Sequence, residues 1–149
     1  MKHLVVLFCS LVFALNINAQ KPNPVKWTFT AIKKSDKQYE VVASATIDAP
    51  WHIYSQFVSG GPIPTHFTFN KNPLVLLSGK TKEKGKLQKM FDKNFNTELS
   101  FFSEKVDFIQ TVNLKVASKT NLVGMVEYSI CNDDRCLPPA KVSFEVALQ

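Results

Sequence analysis

Two runs of alternating apolar residues flank the stretch Cys131-Asn-Asp-Asp-Arg-Cys136-Leu-Pro-Pro139. The first run covers residues 122–130 and the second covers residues 142–148, and in both the apolar side chains recur mostly at every second position. A period of two on both sides of a short polar segment is typical of a β-hairpin. The sequence therefore predicts an antiparallel hairpin with residues 132–135, rich in Asn and Asp, as its turn.

Cys131 and Cys136 are predicted to lie opposite each other at the tip of this hairpin. Directly opposed residues of an antiparallel pair have Cα atoms about 4.5 to 5.5 Å apart, which is near the lower end of the range for a disulfide. A disulfide that closes so short a loop contributes only about 2 kcal/mol to stability. Such a bond is a weak structural staple and is well suited to thiol–disulfide exchange.

The beginning of the chain has the layout of a secretory signal peptide. Lys2 and His3 precede an apolar run at residues 4–15, and a small residue, Ala19, ends the segment. We interpret residues 1–19 as a signal peptide cleaved near Ala19 and residues 20–149 as one domain. The apolar run is shorter than a membrane span. Cys9 follows a phenylalanine, whereas a lipoprotein cleavage site has a small residue there, so lipid attachment is disfavoured.

The composition indicates an exported, basic domain. The 149 residues include 18 Lys and Arg against 12 Asp and Glu, a formal net charge of +6. The basic residues are scattered except for a cluster at residues 80–89, which we interpret as a solvated loop rather than a site for nucleic acid or an anionic surface. A domain of this size buries a core without many staples. Two cysteines in the exported part are typical of an oxidising compartment.

The rest of the chain contains short alternating segments separated by turn residues. A first hairpin is predicted over residues 25–47, and further strands follow up to residue 116. Seven or more short strands without helical periodicity predict an all-β fold, an immunoglobulin-like antiparallel β-sandwich that carries the cysteine pair on a hairpin. The alternation predicts a core that includes Trp27, Phe29, Val41, Ile47, Phe108, Val112, Val126, Tyr128 and Phe144.

The segment at residues 87–99 has more than one interpretation. Met90, Phe91, Phe95 and Leu99 would lie on one apolar face of a helix. The segment would equally suit an ordered loop that carries aromatic residues. In a plain structural interpretation Phe91 and Phe95 are core residues, whereas an aromatic loop near a reactive disulfide would cover the bond.

Four segments of the chain carry a family resemblance. They are Trp51-His-Ile-Tyr54-Ser-Gln, Gly60-Gly-Pro-Ile-Pro-Thr65, Met90-Phe-Asp-Lys-Asn-Phe95 and Cys131-Asn-Asp-Asp-Arg-Cys136-Leu-Pro-Pro139. Together they resemble the amino-terminal periplasmic domain of the thiol:disulfide interchange protein DsbD. The resemblance implies an immunoglobulin-like domain whose cysteine pair accepts electrons from a thioredoxin-like domain, itself fed through a membrane domain. It also implies that the pair passes them to periplasmic thioredoxin-fold acceptors.

The same resemblance assigns residues around the cysteines. Phe95 matches the aromatic residue of the family's cap loop, and Tyr54 matches a tyrosine beside the disulfide. The acidic pair that precedes the cap aromatic in the family reads Lys93-Asn94 here, with Asp92 one position earlier, so acid assistance is left open. The two cysteines are one residue closer in sequence than in the family, so a different turn geometry is expected.

These observations predict a periplasmic thiol–disulfide exchange domain with Cys131 and Cys136 as the catalytic pair, a component of a protein-disulfide reductase system. Thioredoxin-like protein domains are the expected partners. Because the sequence contains neither a membrane domain nor a thioredoxin domain, a stand-alone version or the partner of a separately encoded membrane reductase is expected. Arg135 would favour a thiolate at Cys136. The alternative is a secreted β-sandwich binding module with a structural hairpin disulfide.

No metal, small-molecule cofactor or nucleic acid is predicted. The C-x4-C spacing is not typical of a zinc site, and the sequence has no C-x-x-C motif. His52 and His66, the histidines of the exported part, do not form an H-x(3–5)-H pair. We interpret both as ordinary strand or loop residues.

Overall fold

The computed structural model describes residues 23–93 and 95–149, which form an antiparallel β-structure. The predicted signal peptide, residues 1–19, lies outside the described residues. Within the described part, no helix is long and apolar enough to cross a membrane. In chain order the strands are β1 (Val25–Ser35), β2 (Gln38–Ile47), β3 (His52–Tyr54), β4 (His66–Phe69), β5 (Val75–Gly85), β6 (Gln88–Asp92), β7 (Thr97–Phe102), β8 (Lys105–Leu114), β9 (Thr120–Tyr128), β10 (Ile130–Cys131) and β11 (Ala140–Leu148).

The strands form three sheets. The first has the order β1-β2-β8-β5 and contains the hairpin predicted at the start of the domain, in which Val25 pairs with Ile47. The second has the order β11-β9-β4 and contains the hairpin that leads to the cysteines, in which Tyr128 pairs with Ala140. The third has the order β10-β3-β7-β6. The predicted β-sandwich is confirmed, whereas the third sheet was not predicted.

The core lies between the first two sheets and extends onto the third. One apolar cluster joins side chains of β1, β2 and β8 to Val126 and Tyr128 of β9, and it includes Ile53, Phe102 and Ile130 from the third sheet. A second cluster joins β2 and β8 to β9 and β11. The third sheet is therefore held by one of its faces against the end of the sandwich.

The residues predicted to form the core lie in or against these clusters. Trp27 and Phe29 are half-buried and pack against them, and the Trp27 ring lies 5.2 Å from that of Tyr128. The other predicted core side chains are buried: Val41, Ile47, Phe108, Val112, Val126, Tyr128 and Phe144. Alternation along the strands was sufficient to identify them because inward side chains recur at every second position.

Two predictions about the middle of the chain are wrong. Residues 80–89 are not a loop, because β5 continues to Gly85 and pairs with β8 across an irregularity between Ser78 and Lys82. The strand tolerates so many lysines because they alternate with half-buried Thr81 and Glu83, and their charged ends remain in solvent.

Residues 87–99 do not form a helix, and of the four apolar residues on the predicted helical face only Leu99 is fully buried. They contribute the hairpin of β6 and β7, in which Asp92 pairs with Thr97. Phe91 is 62% exposed on β6, and Phe95 is 45% exposed in the turn. Phe91 pairs with Glu98, so it projects from the face of the sheet opposite to Leu99. The plain structural interpretation of both phenylalanines as core residues is therefore wrong.

Candidate functional site: the disulfide and its surroundings

Cys131 and Cys136 form a disulfide at the tip of the hairpin, as predicted. Their Cα atoms are 4.0 Å apart, which is closer than the separation expected for opposed strand residues. The turn is closed by the Asn132 N–H, which donates to the Arg135 carbonyl at 2.9 Å. The Asn132 Oδ1 accepts hydrogen bonds from the N–H groups of Asp134 at 3.0 Å and Arg135 at 2.8 Å. The Asn side chain thus organises this turn through its own backbone neighbours.

The strand that carries Cys131 changes sheets just before the cysteine. β9 ends at Tyr128, and after Ser129 the chain continues as β10, which pairs with β3 rather than with β11. In this pairing Ile130 lies opposite Ile53, and Cys131 lies opposite His52. The disulfide therefore joins the hairpin of the sandwich to the third sheet.

The register of the third sheet places a set of side chains on the face that carries Cys131. Opposed residues of an antiparallel pair project to the same side, and every second residue of a strand does so too. The pairs Tyr54–Phe101 and Asp92–Thr97 extend this face from β3 to the edge strand. The opposite face carries the side chains that enter the sandwich core. Cys131 thus lies on the side of the third sheet that faces away from that core.

On that face Cys131 belongs to a small, separate apolar cluster. Cys131 is 1% exposed and packs with Tyr54 and Leu99, which are also buried, and with half-buried Val58 and Phe101. Residues 55–65, which follow β3, form a segment that covers this cluster. An additional Cβ on Gly61 would lie 2.6 Å from a methyl group of Leu99, which shows how closely the covering segment approaches.

The covering segment is fixed by polar contacts at both ends. The Thr65 hydroxyl donates to the Tyr54 carbonyl at 2.6 Å. The Glu83 carboxylate accepts from the Ser55 hydroxyl at 2.9 Å and from the Gln56 N–H at 2.6 Å. A carboxylate that receives a backbone N–H and a hydroxyl makes a charge-assisted clamp. These bonds hold the segment over the buried side of the disulfide.

A histidine and a tyrosine provide the polar groups of the buried side. His52 is 4% exposed and Tyr54 is 2% exposed, and the His52 ring nitrogen Nε2 and the Tyr54 hydroxyl oxygen form a hydrogen bond of 3.2 Å. Burial lowers the pKa of His52, and the charge of Asp133 acts in the opposite direction. Burial, with a smaller contribution from Asp92, raises the pKa of Tyr54 to about 12. At neutral pH both side chains are therefore uncharged.

The two sulfur-bearing residues have opposite surroundings. Cys131 is buried, whereas Cys136 is exposed. Cys136 borders an open, largely apolar groove of about 480 Å³, which Leu137, Pro138 and Pro139 also line. The two prolines interrupt the ladder between Leu137 and β11, since proline has no N–H to donate. The bond is thus approachable from the Cys136 side.

Arg135 forms one border of this groove. Its guanidinium carbon lies 5.9 Å from the centroid of the Trp51 ring, within the distance of a cation–π contact. The contact holds a positive charge in the residue next to Cys136. Such a charge favours an anionic sulfur nearby.

The residues assigned by resemblance are brought together only in part. Tyr54 packs with Cys131. Asp92 ends β6, accepts a hydrogen bond from the Phe95 N–H at 3.3 Å and acts electrostatically on Tyr54. Phe95 lies in the turn of the same hairpin and is not a member of the apolar cluster around Cys131. Its role as a cap stays a prediction.

Sequence reasoning missed the position of His52. It is a strand residue, as interpreted, but it lies directly opposite Cys131 and is buried. The sequence feature that could have drawn attention to His52 is its polar side chain within the short apolar run at residues 51–54. No group of three or more metal-ligating side chains occurs among residues 23–93 and 95–149.

A β-sandwich that carries a short-loop disulfide with one buried and one accessible cysteine has the features of a thiol–disulfide exchange domain. A family model described as "Thiol:disulfide interchange protein DsbD, N-terminal" matches residues 18–148. The chain belongs to this family.

Several solved structures resemble the fold, including the following two. One is the DsbD N-terminal domain in complex with the PilB N-terminal domain, both from Neisseria meningitidis, with a TM-score of 0.55 and 13% identity, covering 86% of this chain and 87% of that one. The other is the N-terminal periplasmic domain of ScsB from Proteus mirabilis, with a TM-score of 0.54 and 14% identity over 81% of this chain. The chain spans 44% of the length of the ScsB structure. A comparison with curated protein sequences found no match.

Proposed function

We propose that this domain relays electrons in the periplasm through the Cys131–Cys136 pair. It receives them from a thioredoxin-like domain of a membrane reductase system and passes them to thioredoxin-fold acceptor proteins. The observation that carries the proposal is the asymmetry of the disulfide, with Cys136 exposed beside an apolar groove and Cys131 buried. A purely structural bond needs no such access.

The asymmetry favours one order of bond changes. A thiolate of the reduced donor attacks the sulfur of Cys136, the Cys131–Cys136 bond breaks, and Cys131 takes the electron pair of that bond. The second thiolate of the donor then attacks the donor sulfur of the mixed disulfide and releases Cys136. The donor becomes a disulfide, and the domain holds two electrons as two thiols, which also receive the two protons of the donor.

The same steps in reverse deliver the electrons. Cys136 attacks the disulfide of an acceptor, and Cys131 then attacks Cys136 and releases the reduced acceptor. The groove beside Pro138 and Pro139 offers an apolar surface on which a partner would rest next to Cys136. The DsbD N-terminal domain of Neisseria meningitidis forms a complex with another protein's domain, which supports a protein as the partner here.

Two further features support a periplasmic location and a role of Phe95 as a cap over the cysteine pair. The ScsB domain of similar fold is periplasmic, and the predicted signal peptide at residues 1–19 would direct export. The Asp92 carboxylate caps the turn that presents Phe95. We assign to Phe95 the shielding of the reduced pair when no partner is bound.

The reduction potential of the pair tests the proposal. Exchange disulfides have potentials above about −300 mV, and structural disulfides of secreted proteins lie below that value. Equilibration of the folded chain in defined thiol–disulfide buffers, followed by quantification of free thiols, is expected to give the higher value. A potential below that limit would instead support the secreted binding module with a structural bond.

Trapping identifies the sulfur that meets the partner. A Cys131→Ser variant, which keeps Cys136, is expected to form a mixed disulfide with a thioredoxin-fold protein that retains a single active-site cysteine. The matched Cys136→Ser variant keeps only buried Cys131 and is expected to form little of it. Equal trapping by the two variants would contradict the proposed order of attack.

A further inference from the structure

The buried cysteine faces a chemical difficulty once the disulfide is open. Cys131 then carries a thiol that is surrounded by Leu99, Phe101 and Val58. A thiol must lose its proton to act as a nucleophile, and apolar surroundings disfavour the thiolate. In the delivery step proposed above, this thiol has to attack Cys136. A nearby proton acceptor would remove the difficulty.

His52 is the titratable side chain paired with Cys131 in the third sheet. It lies directly opposite Cys131 in the pairing of β3 with β10, so both side chains project from the same face of the sheet. Side chains opposed in this way have Cβ atoms about 4.5 to 5.5 Å apart. The His52 ring packs against Phe101, with ring centroids 4.6 Å apart, and it forms a hydrogen bond with the Tyr54 hydroxyl.

The hydrogen bond to Tyr54 orients the imidazole. In the tautomer that donates the Nε2–H to the Tyr54 oxygen, Nδ1 carries the lone pair that can accept a proton. The same bond would stabilise the imidazolium after proton transfer, because Nε2–H still donates to that oxygen. Tyr54 is therefore a positioning residue in this arrangement.

The charges around His52 are compatible with a neutral base. Burial lowers its pKa, so the ring is uncharged and available near pH 7. Asp133 in the turn opposes that shift. Asp92 acts on Tyr54, and Arg135 is held over Trp51, the residue before His52.

We infer that His52 is the general base that removes the proton of Cys131 when this cysteine resolves a mixed disulfide at Cys136. The inference rests on the proposed exchange function and adds a residue to it. The proton moves from the Cys131 sulfur to the imidazole, and the electron pair of the thiolate forms the bond to Cys136. The bond from Cys136 to the acceptor breaks, and the acceptor sulfur leaves as a thiolate that later takes up the proton.

The experiment separates the two thiols by their kinetics. The reduced full chain is mixed with a small excess of dithiobis(nitrobenzoate) in a stopped-flow instrument. Attack by Cys136 releases the first thionitrobenzoate at a rate that depends on reagent concentration. Attack by Cys131 on the mixed disulfide at Cys136 releases the second thionitrobenzoate at a rate that is independent of reagent concentration. We expect His52→Gln to slow the second phase by about 100-fold and to change the first by less than about twofold.

A matched control is available in the other described histidine. His66 is exposed on β4 and is not part of the third sheet. His66→Gln is expected to leave both phases unchanged. A second phase in His52→Gln within about twofold of the unsubstituted rate would overturn the inference, because general-base catalysis is worth about 100-fold or more.

The pH profile of the unsubstituted protein gives a test that needs no variant. With His52 as the base, the second phase is flat through neutral pH and slows only as the imidazole becomes protonated, which burial shifts to a pH below the ordinary histidine pKa of about 6.5. Without an internal base, the rate rises about tenfold for each pH unit as the thiolate fraction rises. A tenfold rise per unit between about pH 6.5 and 8 would overturn the inference even if His52→Gln failed to fold.

Failure of the proposed function has a different signature. A folded, reduced chain that releases both equivalents in two bimolecular steps, without forming the Cys131–Cys136 bond, would contradict the exchange function and the role of His52 together. Rapid closure of the bond with no effect of His52→Gln would contradict the role of His52 alone.

Discussion

Reduction of the disulfide is expected to leave the domain folded. The bond spans a sequence separation of only 5, so the chain-entropy estimate of its contribution is about 2 kcal/mol. For a domain of this size that corresponds to a decrease of roughly 6 to 10 °C in the thermal midpoint. Because the bond adds so little, most of the free energy of unfolding must come from the apolar core.

The hydrogen bonds at the tip support the same expectation. The Asn132 N–H to the Arg135 carbonyl and the Leu137 N–H to the Ile130 carbonyl, at 2.9 and 2.8 Å, close the loop without help from the sulfur atoms. Below them, β9 and β11 pair without interruption from Tyr128–Ala140 to Thr120–Leu148. The turn is therefore expected to keep its conformation when the bond is open.

The assay combines circular dichroism with a count of free thiols. Mild dithiol is expected to yield two free thiols at full folded signal, followed by a melt at the lower temperature. Cys136→Ser provides the control, because this residue is exposed and its substitution removes the bond without placing a new polar group in the core. Its midpoint should equal that of the reduced protein. Loss of folded signal in step with reduction would refute the reasoning and support the structural interpretation.

Two further perturbations test the surroundings of the bond. Phe95→Ala is expected to accelerate oxidation of the reduced pair by a small oxidant. It is expected to lower the free energy of unfolding by about 1 kcal/mol or less, whereas the same change at a core phenylalanine lowers it by about 3 to 5 kcal/mol. Phe91→Ala is the control, since Phe91 is exposed in the same hairpin but projects to the other face of the sheet, and it should not change the oxidation rate. The raised pKa of Tyr54, about 12, predicts a free energy of unfolding that is retained below about pH 10 and lost as the pH rises toward 12. Chemical unfolding measured at several pH values over that range should show this loss, and Tyr54→Phe should remove most of it. If the free energy of unfolding of the variant falls with pH as steeply as that of the unsubstituted protein, the loss does not come from Tyr54.

The amino-acid sequence by itself determined the class of fold and the cysteine pairing. Alternation with a period of two selects the buried face of each strand, which is why Val41, Phe108 and Val126 could be named as core residues. The pairing of Cys131 with Cys136 followed from local geometry, since a short polar turn brings its two ends together. Both depend on residues close together along the chain.

Sequence patterns failed where a strand lies at an edge or carries charge. The lysines of β5 suggested a loop, although their ends reach solvent from a strand that pairs with β8. Phe91 suggested a core residue, although its side chain is 62% exposed on β6. An apolar residue predicts burial only if another element covers it, and no local pattern records which elements do so.

Only the tertiary structure decided the environment of each sulfur. The change of sheets after Tyr128 pairs β10 with β3, and this long-range register places Cys131 against His52 and the apolar cluster. Cys136, five residues later, stays at the surface beside the groove. The burial of Cys131 and the exposure of Cys136 are set by the packing of segments that are distant in sequence. The two cysteines of one short turn therefore differ in reactivity, and the sequence of the turn alone does not predict this difference.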